Sequence, residues 1–159
     1  MDLKLFKITN PLYIGQVGPL IQQFFKRIER NPSVKGISYE SLYTYFTNVV
    51  QFGGESAEFH VVAKDDIPVA FAEWRILTAP HYGTVFWEYV YNSTQTDGPV
   101  LLLGDEFVKY GKKHNAPYYS FTAINDKVAK AILKSGKKCN LDLENTGIIN
   151  FIGRHNNGK

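Results

Sequence analysis

Residues 57–115 read AEFHVVAKDDIPVAFAEWRILTAPHYGTVFWEYVYNSTQTDGPVLLLGDEFVKYGKKHN, and the hydrophobic period changes within them. The runs AEFHVVAKDD, IPVAFAEWRILTA and YGTVFWEYVYNS are rich in β-branched and aromatic residues, and the turn signals DDIP and APHYG separate them. Side chains of this kind suit a pleated surface, so the runs read as three consecutive antiparallel strands, a meander. After Asn92 the pattern becomes helical: a turn of small polar residues with Gly98 and Pro99 leads into an amphipathic helix that ends near Asn115.

Upstream, DLKLFKIT places Leu3 and Leu5 at period two and reads as an opening strand. A helix follows, opened by Gly18 and Pro19, with Leu20, Ile21, Phe24, Phe25 and Ile28 on one stripe. A second helix starts at the N-cap Ser38, buries Leu42, Tyr45, Phe46 and Val49, and ends at the FGGE of residues 52–55. Downstream, PYYSFTAI reads as a strand, and a helix runs from Asp126 to Ser135 with Gly136 in the C′ position. KCNLDL and IINFIG are two last strands, joined by ENTG. The fold class expected from this order is α+β: a mixed, mostly antiparallel sheet of about seven strands with about four helices on its faces, parallel across the crossover at residues 84–124.

A chain of 159 residues is the size of one domain with one core. With 44% hydrophobic residues, ten Tyr and eleven Phe, it is too apolar for a disordered chain. The net charge of +3 is spread without a dense basic cluster, which excludes a dedicated nucleic-acid binder and leaves a mild preference for anionic ligands. Cys139 is the single cysteine, so no internal disulfide or multi-cysteine zinc motif exists. No apolar run approaches the ~18 residues of a membrane span, and the N-terminus has no unbroken apolar stretch. A cytoplasmic protein without membrane or nucleic-acid partners is expected.

A helix N-terminus offers unpaired amides and a partial positive charge, a natural seat for phosphate. The element order, with such a turn between the fourth strand and the third helix, resembles the GNAT superfamily of acyl-coenzyme A-dependent N-acyltransferases over nearly the whole chain. That family's pyrophosphate loop reads Arg or Gln, two residues, Gly, one residue, then Gly or Ala. Gln95, Thr96, Asp97, Gly98, Pro99 and Val100 occupy those places here. Gln95 and Gly98 match, Val100 departs, and Pro99 lacks an amide that would otherwise donate to a phosphate oxygen. Asn125 and Gly136 also fill family positions, whereas Ile132 stands where a thiolate-protonating Tyr is frequent and Lys137 where Phe is common.

The resemblance implies a single GNAT-like domain over residues 1–159, with acetyl-CoA or another acyl-CoA as cosubstrate. Cofactor contacts then fall to Val90, Tyr91, Gln95, Thr96, Asp97, Gly98, Val100 and Asn125. The acceptor is a small-molecule or peptide amine, and a homodimer is compatible. The departures keep a second reading open, a GNAT-like binding or interaction module without turnover.

Transfer to an amine needs a base, because a lysine-like amine with a pKa of about 10.4 is mostly protonated at neutral pH. Glu88 is the candidate: on an extended strand Thr84, Phe86, Glu88 and Val90 share one face, with Phe86 and Trp87 flanking the carboxylate. Glu73 is the second choice. The plainer alternatives are a solvent-facing Glu88, or one paired with Arg75 across the hairpin. Tyr91, Tyr118 and Tyr119 are candidates to protonate the thiolate. His60, His81, His114 and His155 show no i, i+4 spacing and no acidic partner in register, which argues against a metal site. Cys139 reads as a small core residue. Phe24, Phe25, Tyr43, Tyr45 and Phe46 recur at helical spacing and read as core; those exposed between the first two helices would line an acceptor pocket.

Overall fold

The computed structural model describes residues 2–31, 36–77, 84–116 and 118–121, together with 130, 133, 134 and 136–138. The elements are β1 (Leu3–Lys7), a 3-10 turn (Pro11–Tyr13), α1 (Ile14–Ile28), α2 (Tyr39–Phe52), β2 (Ala57–Lys64), β3 (Ile67–Ile76), β4 (Val85–Asn92), α3 (Gly98–Lys113) and β5 (Tyr119–Phe121). Five strands form one sheet in the order β1-β2-β3-β4-β5. Neighbours among the first four are antiparallel, and β5 runs parallel to β4 after the α3 crossover, as expected. The DDIP turn works by placing Asp65 and Asp66 at φ 51 and 64, the left-handed conformation a tight hairpin between right-twisted strands requires. Of the last two expected strands, IINFIG and all of KCNLDL after Lys138 lie outside the described residues, as do Cys139, His81 and His155.

Two boundaries differ from the sequence reading. The first helix begins at Ile14 rather than at Gly18, because Asn10 accepts a hydrogen bond from the Leu12 amide at 3.0 Å and Pro11 starts a 3-10 turn that runs straight into α1. Pro19 therefore lies inside α1, where it removes the amide that would bond the Gly15 carbonyl. Gly136, expected as a C′ cap, is itself helical, as are Lys137 and Lys138. Ser38, by contrast, caps α2 as expected, in a reciprocal pair with Ser41.

The single expected core is two cores, one on each face of the sheet. The α1 and α2 face gathers Ile14, Ile21, Phe24, Phe46, Phe59 and Phe71, with Phe46 and Phe59 ring centroids 4.9 Å apart. The α3 face gathers Val62, Trp74, Val85, Trp87, Leu103 and Phe107, with Trp87 and Phe107 5.1 Å apart. A strand covered on both faces has no solvent-facing side, which is why Glu58 to Ala63 are all buried in β2, the polar Glu58 and His60 included.

Gly53 fixes how α2 meets β2. Its φ of −65 would suit any residue, but a Cβ there would meet the backbone carbonyls of Val49 and Ala57. Backbone cannot swing aside as a side-chain tip does. Gly53→Ala should therefore destabilise the protein by about 1–3 kcal/mol, read as a lower urea midpoint with an unchanged m-value. Gly54→Ala, where a Cβ meets nothing within 4 Å but φ is +56, should cost about 1 kcal/mol.

Candidate active site

Glu88 is the residue at which β3 and β4 fall out of step. Glu73 faces Tyr89 and Trp74 faces Trp87, so β4 has one residue extra. A bulge of this kind shifts the side-chain alternation and re-aims the extra residue. The expectation that Thr84, Phe86, Glu88 and Val90 share a face is thereby corrected. Val85, Trp87 and Val90 belong to the α3 face, whereas Tyr89 and Tyr91 belong to the α1 and α2 face. Glu88 turns toward α2.

There it meets three polar groups. The Tyr45 hydroxyl donates to Glu88 Oε2 at 2.8 Å and stands 3.2 Å from Glu73 Oε1. Arg75 Nη2 lies 2.9 Å from Glu88 Oε2 and 3.1 Å from Glu73 Oε1, with its guanidinium 5.4 Å from the centre of the Tyr45 ring. The pairing of Glu88 with Arg75 is thus present, and it does not bury the carboxylate: the Glu88 side chain keeps 25% of its exposure while that of Glu73 keeps none. Glu73 carries the largest perturbation. Burial, then the charge of Glu88 and a hydrogen bond to it, push its carboxyl far above the usual range. Its buried Oε2 has no hydrogen-bond partner among the described residues, a position the neutral acid tolerates far better than the carboxylate. Tyr89, beside the pair, is pushed up to about 12 by burial and by the charges of Glu88 and Glu73.

The turn after β4 is held by its own side chains. Asn92 Oδ1 accepts from the Thr94 amide at 2.9 Å and the Thr94 hydroxyl at 2.8 Å, and Asn92 Nδ2 donates to the Thr96 carbonyl at 2.8 Å. The Thr96 amide is taken by Thr94 Oγ1 and the Leu101 amide by the Asp97 carbonyl. The amides of Gln95, Asp97, Gly98 and Val100 have no partner among the described residues. Asp97 occupies the N-cap position without a side-chain cap bond; instead its carboxylate pairs with Lys138 at 3.1 Å. Gln95, Thr96 and Asp97 are exposed, Gly98 and Val100 half-buried.

Val90 and Tyr91 pair with Ala72 and Phe71 of β3. Tyr91 is buried 5.7 Å from Phe24, with Arg27 5.3 Å from its ring centre. The pairing of β4 with β5 is described from Val85–Tyr119 to Trp87–Phe121; Asn125 and Ile132 lie outside the described residues. Tyr118 is exposed, and Tyr119 donates to the Val108 carbonyl at 3.2 Å. On the outer side, α1 and α2 frame an open groove of about 600 Å3, lined by Gly15, Gly18 and Pro19 against Tyr39, Tyr43 and Thr44. Of the aromatics singled out in the sequence, Tyr43 reaches this groove, Tyr45 reaches the carboxylates, and Phe24 and Phe46 are core.

The sequence reading also missed an acidic partner for His60. Residues two apart on a strand share a face, so Glu58 Oε2 lies 2.8 Å from His60 Nε2, and His60 stacks 4.5 Å from Trp74. Burial alone would raise the Glu58 carboxyl, but hydrogen bonds from His60 and Lys7 carry it down to about 2. Among the described residues no group of three or more His, Cys, Asp or Glu side chains is placed to hold a metal, and no helix is long and apolar enough to cross a membrane.

The meander followed by the α3 crossover is a fold that the chain shares with solved acetyltransferase structures. The chain is similar to the aminoglycoside N-acetyltransferase AAC(6')-Iy in complex with CoA, at a TM-score of 0.69 and 11% identity over 98% of this chain and 95% of that one. It is similar as well to a predicted acetyltransferase from Clostridium acetobutylicum with acetyl-CoA, at 0.67 and 13% over 98% and 100% of the two chains. A third, the aminoglycoside acetyltransferase meta-AAC0020 from an uncultured soil sample with sisomicin, gives 0.65 and 14% over 94% and 93%. No protein-family model and no curated protein matches the sequence.

The raised carboxyl has a consequence for stability. Folded Glu73 holds its proton to a higher pH than the unfolded chain does, so stability is full below the ordinary carboxylate range and declines as pH climbs above it. Glu73→Gln keeps the neutral shape and should flatten that decline, measured as urea midpoints between about pH 5 and pH 9.

Proposed function

We propose that the chain is a single-domain N-acyltransferase that moves an acyl group, in the first instance acetyl, from acyl-CoA to a primary amine. One observation carries this reading: a partly exposed carboxylate, Glu88, fixed by Tyr45 and Arg75 on the sheet of a GNAT fold, beside a buried carboxyl. The donor-rich turn at the start of α3 fits a pyrophosphate. The amides of Gln95, Asp97, Gly98 and Val100, without a partner among the described residues, supply donors, Thr96 adds a hydroxyl, and Lys138 offsets the Asp97 carboxylate. Val90 and Tyr91 at the end of β4, and Asn125, complete the proposed contacts. Acyl-CoA brings the activated thioester carbonyl.

The work left to the chain is to present an unprotonated amine. Glu88 takes the proton from the acceptor nitrogen, directly or through a water. The carbon–nitrogen bond then forms, the carbon–sulfur bond breaks, and the thiolate, whose thiol has a pKa near about 8.5, leaves and is protonated. No dedicated acid is required for so tolerable a leaving group. The groove between α1 and α2, whose lining residue Thr44 precedes Tyr45 in the chain, is the proposed seat for the rest of the acceptor. Among the described residues its walls are tyrosine faces and backbone, its one charged lining residue is Glu40, and it offers no cation. An acceptor bearing more than one amine suits such a lining. A cytoplasmic setting suits a chain with a single cysteine.

Acetyl-CoA should raise the melting temperature, with a gain of about 2.7 kcal/mol at a hundredfold excess over Kd. Glu88→Gln should keep that gain and lower kcat/KM by about 10²–10⁴-fold, assayed as CoA release with spermine, a lysine peptide and an aminoglycoside as acceptors. No thermal gain at millimolar acetyl-CoA defeats the proposal. Binding without transfer to any amine would make the chain a binding module instead.

A further inference from the structure

Tyr45 has one hydroxyl proton but two carboxyl neighbours. A phenol donates once and accepts through its lone pairs. The shorter contact, 2.8 Å to Glu88 Oε2, takes the Tyr45 proton. The contact of 3.2 Å to Glu73 Oε1 is then a full two-centre hydrogen bond when Glu73 supplies a proton of its own. Arg75 Nη2 bridges the same two oxygens at 2.9 and 3.1 Å, and a guanidinium is always charged. Proton counting within this ring of four groups gives one neutral carboxyl, one carboxylate and one cation, a net charge of zero.

We propose that Glu73 and Glu88 work as a pair holding a single proton, with Tyr45 and Arg75 as the positioning residues that keep it on Glu73 and leave Glu88 to receive the proton of the acceptor amine. The inference rests on the transferase reading for its function, but not for its proton count. Its benefit is electrostatic. Two carboxylates against one guanidinium would leave a negative site, which stabilises an ammonium ion and so opposes its deprotonation. A neutral Glu73 removes that excess without removing the base. When Glu88 has taken the amine proton, both carboxyls are neutral beside a charged Arg75, and the surplus proton passes on to water, restoring the pair.

The other groups facing the pair agree with this assignment. Tyr45 comes from α2, Arg75 from β3 and Tyr89 from β4, while α1 presents the apolar Phe24, 6.1 Å from Tyr89. Across the sheet, Tyr110 lies within reach of the charges of Glu58 and Glu73, and burial raises it above its ordinary value. Both tyrosines stay neutral. Among the described residues Arg75 is the one cation placed against the pair, its guanidinium shared between the two carboxyls.

Infrared difference spectroscopy of the whole protein at neutral pH, in the absence of any ligand, tests the count. A protonated carboxylic-acid band should be present and should vanish in Glu73→Gln. Kinetics test the use made of it. With acetyl-CoA and whichever primary amine turns over, Glu73→Ala should lower kcat about tenfold or more, and Glu73→Gln, the neutral isostere, should recover most of the loss. Tyr45→Phe should move the acid limb of the kcat/KM profile to higher pH by about one unit. A missing acid band overturns the proposal, as does a Glu73→Gln enzyme no better than Glu73→Ala. If acetyl-CoA neither binds nor is consumed while the band is present, the transferase reading falls and the proton-sharing pair stands.

Discussion

Between Trp87 and Tyr89 the fourth strand carries a residue that the third strand cannot match, and that residue is Glu88. A perfect ladder would have kept β4 in one phase from end to end. The slip instead lets its first half present Val85 and Trp87 to α3 and its second half present Tyr89 and Tyr91 to α1 and α2. It also delivers a carboxylate to the one place where α2 offers a hydroxyl and β3 a guanidinium. Partition of the two cores and assembly of the polar cluster thus follow from one irregularity, since a period-2 strand can change faces only by gaining or losing a residue.

Much of the described architecture is legible in the sequence because the strands are bounded by strong turn chemistry. DDIP gives a two-residue turn with both φ positive, and Ser38 gives a capping box. The start of α1 was equally written, in Asn10 followed by Pro11, but the later Gly18 and Pro19 mimic the same signal more conspicuously. Glu88 and Glu73 stand out as candidate carboxylates on neighbouring strands. Their partner Tyr45 does not: at helical spacing it is indistinguishable from core, and its hydroxyl acquires meaning only through a contact 43 residues away in sequence. The phase of β4 is hidden for a similar reason, because a bulge leaves both halves of the strand apolar. The Glu58 and His60 pair is written as a strand alternation, a spacing of two that a helical metal motif does not share.

The two faces of the sheet carry different chemistry. Under α3, Glu58 gathers Lys7 from β1, His60 from β2 and the Trp74 indole from β3, a charge satisfied by donors on three strands. Such a group contributes stability above the ordinary carboxylate range and loses it as pH falls toward about 2. Glu73 has the opposite sign, since its neutral form is the one favoured by folding. Two buried glutamates on neighbouring strands therefore set the acid and alkaline flanks of the same stability curve.

Thr44 lines the groove and Tyr45, the next residue, holds the carboxylates. Consecutive positions on an α-helix point about 100° apart, so this short segment addresses two compartments at once. Substitutions at Tyr39, Glu40, Tyr43 or Thr44 can reshape the groove while the hydroxyl of Tyr45 stays in place. Deleting or inserting a single residue between the Ser38 cap and Tyr45 would rotate that hydroxyl away from both carboxyls. The groove-facing positions of α2 are consequently free in composition, while the segment from Ser38 to Tyr45 is constrained in length.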